Sequence, residues 1–121
     1  IMKGIKREKM DLTAGEQSRD FIYIKDLIEA IIILINNYKS FNKYEIINIG
    51  SGKQTLIKEV VEIVSKHFPN NKYNLGALSY RKGENMKFYP KINKISQFNW
   101  KPKVNIEKGL VKTIYWWKNN L

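Results

Sequence analysis

Gly15-Glu16-Gln17-Ser18-Arg19-Asp20-Phe21-Ile22-Tyr23-Ile24-Lys25-Asp26 is the stretch from which the rest of the chain can be read. A guanidinium and a carboxylate, Arg19 and Asp20, stand directly before Phe21-Ile22-Tyr23-Ile24, a β-branched and aromatic run that reads as a buried strand. Asp26 then falls where the positive end of a helix favours an acid. Residues 27–37 follow as a nearly all-apolar helix closed by Asn36-Asn37. An Arg–Asp surface pair would account for the charges by itself. A second block argues for more: Arg81-Lys82-Gly83-Glu84 again sets a guanidinium and a carboxylate about a glycine turn. The chain has only three arginines, Arg7, Arg19 and Arg81, and two of them lie in these blocks. Two convergent guanidiniums suit a diphosphate, which takes bidentate contacts, and a nearby carboxylate suits ribose hydroxyls.

Working outward, residues 1–7 read as a helix end or a ragged start, and residues 9–13 as a short strand closed by Ala14-Gly15. Residues 44–49 form a second strand by pattern, broken by Gly50-Ser51-Gly52. Thr55 is placed to cap a helix over 56–68, whose Leu56, Val60, Ile63 and Val64 keep the helical period. Pro69-Asn70-Asn71 ends it. Residues 73–78 read as another strand, 81–85 as a polar turn about Gly83, and 91–98 as a short helix or turn. Pro102 separates these from a last helix, 106–119, with Ile106, Leu110, Ile114 and Trp117 on one face and Trp116 pointing elsewhere. Mixed helices and strands define an α/β or α+β class. The strands are few and short, so the expectation is a small mixed α/β lobe, a single domain over residues 1–121, that is part of something larger.

Composition removes several function classes. The 121 residues include no cysteine, which excludes a disulfide scaffold, a thiolate zinc site, a cysteine nucleophile and an iron–sulfur cluster. The single histidine, His67, excludes multi-histidine metal sites and argues against a Ser-His-Asp triad; it reads as a surface or helix C-terminal residue, and no metal is expected. The absence of cysteine fits a cytoplasmic protein. The strongest apolar stretch, 27–35, is too short to span a membrane and contains Glu29. The net charge of +11 raises the question of nucleic acid. Against that, 19 of the 22 basic residues are lysine, which lacks the guanidinium fork that grips phosphates and base edges. Ile, Lys, Asn, Tyr and Phe supply 62 of the 121 residues. All have AT-rich codons, so a low-GC genome explains the lysine excess without a polyanionic partner. A general attraction for anionic ligands remains.

Asn48-Ile49-Gly50-Ser51-Gly52-Lys53-Gln54-Thr55 invites two phosphate-binding readings and satisfies neither. A P-loop needs glycine where Ile47 stands and Ser or Thr where Gln54 stands. A dinucleotide fingerprint needs a third glycine where Thr55 stands. The plain expectation is a glycine-enabled strand-to-helix turn. Trp100, Trp116 and Trp117 read as core or interface residues rather than as base-stacking platforms.

Taken in order, Gly-x-Gln-x-Arg-Asp-Phe-Ile-Tyr-Ile-x-Asp, Asn48-Ile49-Gly50-Ser51-Gly52, Arg81-x-Gly83-Glu84, Asn99-Trp100-x-Pro102 and Ile106-Glu107-x-Gly109-Leu110 with Trp116-Trp117 resemble the C-terminal third of an NAD-dependent nucleotide-sugar epimerase/dehydratase, an extended short-chain dehydrogenase/reductase. The resemblance covers almost the whole chain. It implies that Arg19 and Arg81 contact the diphosphate of a nucleotide sugar and that Glu84 reaches the ribose or base. It also implies a structural role for Asn48 and Gly50 in the turn that shapes the substrate lobe. Lys82 replaces the proline usual in the second block, and Pro90-Lys91 stands where many relatives open a short helix with an acid.

The resemblance further implies NAD or NADP bound by an N-terminal Rossmann half, and chemistry run by a Tyr-x-x-x-Lys pair. Neither is in this chain: none of its seven tyrosines is followed four residues later by lysine. The chain is therefore expected to carry no catalytic or cofactor-binding residue of its own, and to be inactive alone. It is expected to be the substrate-binding part of a chain two to three times as long, with apolar faces left for the missing half and for self-association, Trp116 among them. Two alternatives stand beside this. One is a free-standing nucleotide-sugar-binding or regulatory module without catalysis. The other is a basic nucleic-acid binder, with a steep salt dependence.

Overall fold

The computed structural model describes all 121 residues. It is a small mixed α/β lobe. In chain order its elements are α1 (Met2–Ile5), β1 (Met10–Asp11), β2 (Ser18–Arg19), α2 (Ile24–Asn36), a 3₁₀ turn (Tyr38–Ser40), β3 (Thr55–Leu56), α3 (Ile57–Ser65), β4 (Tyr73–Asn74), α4 (Asn93–Ser96) and α5 (Ile106–Asn119). Two two-stranded pieces of sheet result. β1 pairs in parallel with β4, and β2 pairs antiparallel with β3 in the register Ser18 to Leu56 and Arg19 to Thr55. No helix is long and apolar enough to cross a membrane.

The last helix forms over the expected residues because its signals agree. The Asn105 side chain accepts from the amide of Lys108 at 2.9 Å, and Ile106, Leu110, Ile114 and Trp117 turn inward while Trp116 stays exposed. The turn at 81–84 also forms. The Glu84 amide donates to the Arg81 carbonyl at 3.0 Å, with Gly83 at φ +78° in the third position, where a positive φ suits glycine. Strands 9–13 and 73–78 shrink to β1 and β4, and the short helix in 91–98 is α4.

Three expectations are overturned. Phe21-Ile22-Tyr23-Ile24 is not a strand: the ladder sits at Ser18–Arg19, residues 20–23 pair with no strand, and α2 begins at Ile24 rather than at 27. The ladder stops because the Asp20 carboxylate, not the backbone, takes the amides of the facing turn. Residues 44–49 keep the alternating burial of a strand, but no strand lies beside them to complete a ladder. Thr55 does not cap α3: it is paired with Arg19 in the sheet, and the helix runs from Ile57 to Ser65. Its first turn is closed instead by Glu59, whose carboxylate accepts from the Leu56 amide at 3.0 Å.

Two small cores hold these pieces. Ala30, Ile95 and Trp100 are buried together, with Ile22, Ile33, Leu34, Ile47 and Ile49 packed around them. Val64, Phe68 and Ile114 form the second, where α3 meets α5. Only 12 of 121 residues are buried, so much of the apolar sequence remains on the surface.

Candidate functional site

Ser18 lies in the middle of a three-way junction. On one side it pairs with Leu56; on the other its amide donates to Met86 O at 2.8 Å and its carbonyl accepts from Phe88 at 3.3 Å. With 2% of its surface exposed, it fixes the next residue, Arg19, between β3 and the 84–88 loop. The Arg19 guanidinium donates from Nη1 to Ser18 O at 2.8 Å and to Asn85 O at 2.7 Å, and from Nη2 to Glu84 Oε1 at 2.5 Å. A guanidinium has five N–H donors, so these three bonds leave two, on Nε and Nη2, for a ligand. The side chain is about 30% exposed and lines a cleft of about 560 Å³ together with Asn48, Gly50, Phe88 and Pro90.

The structure therefore brings Arg19 and Glu84 together. Glu84 stands on the guanidinium through Oε1, while its Oε2 makes no bond. Arg81 is exposed at the start of the same turn, and its side chain makes no hydrogen bond or ion pair. It does not line the Arg19 cleft.

Asp20 and Asp26 have a different task. The Asp20 carboxylate accepts from Ser51 N through Oδ1 and from Gly52 N through Oδ2, each at 2.7 Å. Asp26, 3% exposed, accepts from the amides of Lys103 at 3.1 Å and Val104 at 2.9 Å. Each acid pins two backbone amides of a distant segment to the block that carries Arg19. Gly50 is part of the same joint. A Cβ there would lie 2.5 Å from Pro90 Cγ and 3.1 Å from Asp20 Oδ2. The Arg19–Asp20 surface pair that the sequence permits is not formed: the two side chains point to different partners.

These contacts decide what the glycine turn can hold. The amides of Ser51 and Gly52, which a phosphate loop would aim at its ligand, are already taken by Asp20. The turn does not fit the pyrophosphate of a dinucleotide. No group of three or more His, Asp or Glu is placed to hold a metal, and His67 is exposed in the turn after α3. Trp100 is 3% exposed in the core, whereas Trp116 is half-exposed and meets Trp117 edge to face at 4.9 Å between ring centroids.

Sequence reasoning missed Ser18, the Asn85 carbonyl and Phe88. The first two act through backbone groups that leave no trace in residue type. Phe88, 63% exposed, lines the Arg19 cleft but belongs to no periodic apolar pattern.

Residues 2–50 match the NAD dependent epimerase/dehydratase family. The chain is 34% identical over 106 residues to a putative UDP-glucose 4-epimerase of Methanocaldococcus jannaschii, covering 88% of this chain and 33% of that one. To the CDP-abequose synthase of Salmonella muenchen it is 32% identical, over 94% of this chain and 39% of that one. Among solved structures, the UDP-N-acetylglucosamine 4-epimerase of Methanobrevibacter ruminantium, in complex with UDP-N-acetylmuramic acid, superposes with a TM-score of 0.78 at 27% identity. That match covers 97% of this chain and 37% of that one. The chain thus spans about a third of the length of the relatives it matches.

Proposed function

We propose that this chain holds the nucleotide end of a nucleotide-diphosphate sugar for an NAD(P)-dependent epimerase, dehydratase or reductase. The observation that carries it is Arg19: a guanidinium fixed from behind by three acceptors, with two N–H groups left over a cleft. A side chain already immobilised loses little entropy on binding, so its charge goes into recognition. Arg81, unpaired at the start of the same turn, supplies the second cation for the diphosphate, and the free Oε2 of Glu84 takes a ribose hydroxyl. Two of the relatives bear UDP-glucose and CDP-abequose in their names, and the solved structure binds a UDP-sugar; a nucleoside diphosphate is what these share.

The hydride step belongs to a nucleotide-binding half, because no Tyr-x-x-x-Lys pair is present here and the glycine turn is filled. Bound in that half, NAD or NADP would supply the hydride chemistry. This chain contributes remote binding energy that positions the sugar. The step that follows oxidation then decides between isomerase, lyase and oxidoreductase.

The test is a thermal-shift and calorimetric panel of UDP-, CDP-, dTDP- and GDP-sugars, with duplex DNA as the control. Arg19→Ala and Arg81→Ala should each weaken nucleotide-diphosphate binding by about 1.5–3 kcal/mol, the usual worth of a charged hydrogen bond. Wild-type binding in both variants would remove the assignment. A response to DNA alone would move it to nucleic acid.

A further inference from the structure

We propose that the pocket between the end of α1 and the end of α3 is a second anion site, built for one doubly charged phosphoryl group. It shares no residue with the Arg19 cleft and does not depend on the nucleotide-sugar reading.

The charges carry the first argument. Arg7, His67 and Lys118 line a pocket of about 250 Å³, and no carboxylate lines it with them. None of the three forms an ion pair, although other lysines and Arg19 find carboxylates elsewhere in the chain. Glu8 follows Arg7 in sequence but lies outside the lining and pairs with none of them. Cations gathered without a counter-ion repel one another, and a bound anion turns that repulsion into attraction.

The backbone carries the second. After α1 the Glu8 amide donates to Lys3 O at 2.9 Å and the Arg7 amide to Gly4 O at 3.1 Å. This double closure needs a left-handed residue just past the helix end, and glycine is the usual one. Arg7 stands there instead, at φ +57°. The other non-glycine residue with positive φ is Asn99, a type that adopts that region readily. Arginine occurs only three times among the 22 basic residues, and the other two fall in the blocks of the Arg19 site. An arginine where the backbone asks for glycine and the composition favours lysine points to use of its fork, whose five N–H donors suit phosphoryl oxygens.

The floor of the pocket is fixed before any ligand arrives. Gly4 lies so close to Phe68 that a Cβ would stand 2.7 Å from Phe68 Cδ2. Asn71 Nδ2 donates to Lys3 O and to Glu8 O, both at 3.1 Å, and so ties the turn that carries Arg7 to the turn after α3. Lys118 Nζ stands over the Phe68 ring at 4.8 Å from its centroid, and Phe68 is buried. Less ordering is then left for binding to do. The shape selects the ligand. A nucleic acid asks for cations along a line, one for each of several phosphates, whereas these side chains close about one pocket. Two permanent cations and the His67 ring match a phosphoryl dianion better than a singly charged diester. Inorganic phosphate and a phosphate monoester share that chemistry.

The experiment titrates the isotope-labelled chain, amide by amide in NMR spectra, with inorganic phosphate, phenyl phosphate and dimethyl phosphate. Ionic strength is held constant at about pH 8, where the first two are dianions. Shifts should gather at Arg7, at residues 66–71 and at Lys118. Phosphate binding alone marks free phosphate as the ligand, and tighter binding of phenyl phosphate marks a monoester. Arg7→Gly should weaken binding by roughly tenfold or more, the loss of a charge-assisted hydrogen bond. Glycine suits that backbone, so this variant should melt no lower than wild type, and a lost response is then a lost site. Lys118→Gln should also weaken binding, and Lys25→Gln, an exposed cation outside the pocket, should not. No shift in wild type overturns the proposal. So does unchanged binding in Arg7→Gly, an equal loss in Lys25→Gln, which would assign binding to the general field, or dimethyl phosphate binding as tightly as phosphate. UDP-glucose binding should be unchanged in Arg7→Gly, and phosphate shifts about Arg7 unchanged in Arg19→Ala, so the two sites fail separately.

Discussion

At the scale of the residue, two aspartates hold the turns of this lobe in place. Asp20 and Asp26 each close a pair of backbone amides, and in both cases the amides belong to a turn that would otherwise be free. Asp26 is almost fully buried. Asp26→Ala would leave two amides without an acceptor and should cost about 3 kcal/mol, read as a lowered denaturant midpoint. Asp26→Asn keeps one accepting oxygen and should lose less. Gly50→Ala tests the neighbouring joint. With Pro90 Cγ 2.5 Å from the new methyl, the turn must move, at about 1–3 kcal/mol of overpacking. The same shift displaces one wall of the Arg19 cleft, so nucleotide-sugar binding should weaken along with stability.

At the scale of the element, short strands lean on side chains. β1 and β4 share two residue pairs, and the Asp11 carboxylate reinforces them by accepting from Asn74 Nδ2 at 2.6 Å. That hydrogen bond, followed by Lys9, holds the Asp11 carboxyl below its ordinary range. A folded-state value below the unfolded one contributes stability that is complete above the unfolded value and is lost as pH falls through the folded one. The lobe should therefore lose stability on acidification below about pH 4, and Asp11→Asn should flatten that part of the profile. Glu45 is lowered by Lys94 in the same direction, so the double variant with Glu45→Gln should be flatter still. α5 shows the opposite economy: one cap, Asn105, closes a 14-residue helix. Asn105→Ala should cost about 1 kcal/mol, measurable as lost helix ellipticity at lower temperature.

At the scale of the whole molecule, charge and apolar surface act on different partners. Scattered lysines and a net charge of +11 attract any polyanion. Binding to DNA by that field alone should fall steeply with salt, in proportion to the phosphates neutralised. Binding of a nucleotide sugar through Arg19 and Arg81 should fall far less between about 50 and 200 mM salt. A titration at two salt concentrations separates the two. If nucleotide-sugar affinity fell as steeply as DNA affinity, the ordered guanidinium would not be the source of recognition.

The sequence by itself determined what local chemistry can specify: α5 from its cap and 3.6-residue period, the 81–84 turn from its glycine, the absence of thiolate and multi-histidine metal sites from composition, and a family resemblance from five blocks in order. It also singled out Arg19, Arg81 and Glu84, of which folding brings Arg19 and Glu84 into contact. Tertiary structure decided the pairing. Phe21–Ile24 and residues 44–49 have the same strand-like composition as real strands, but a strand exists only where a neighbour supplies hydrogen bonds, and here the neighbours went to Ser18–Arg19. The two aspartates looked like a surface charge and a helix-end acid. Only folding, which brings segments 31 and 77 or more residues away against them, turned them into the clamps that hold the site.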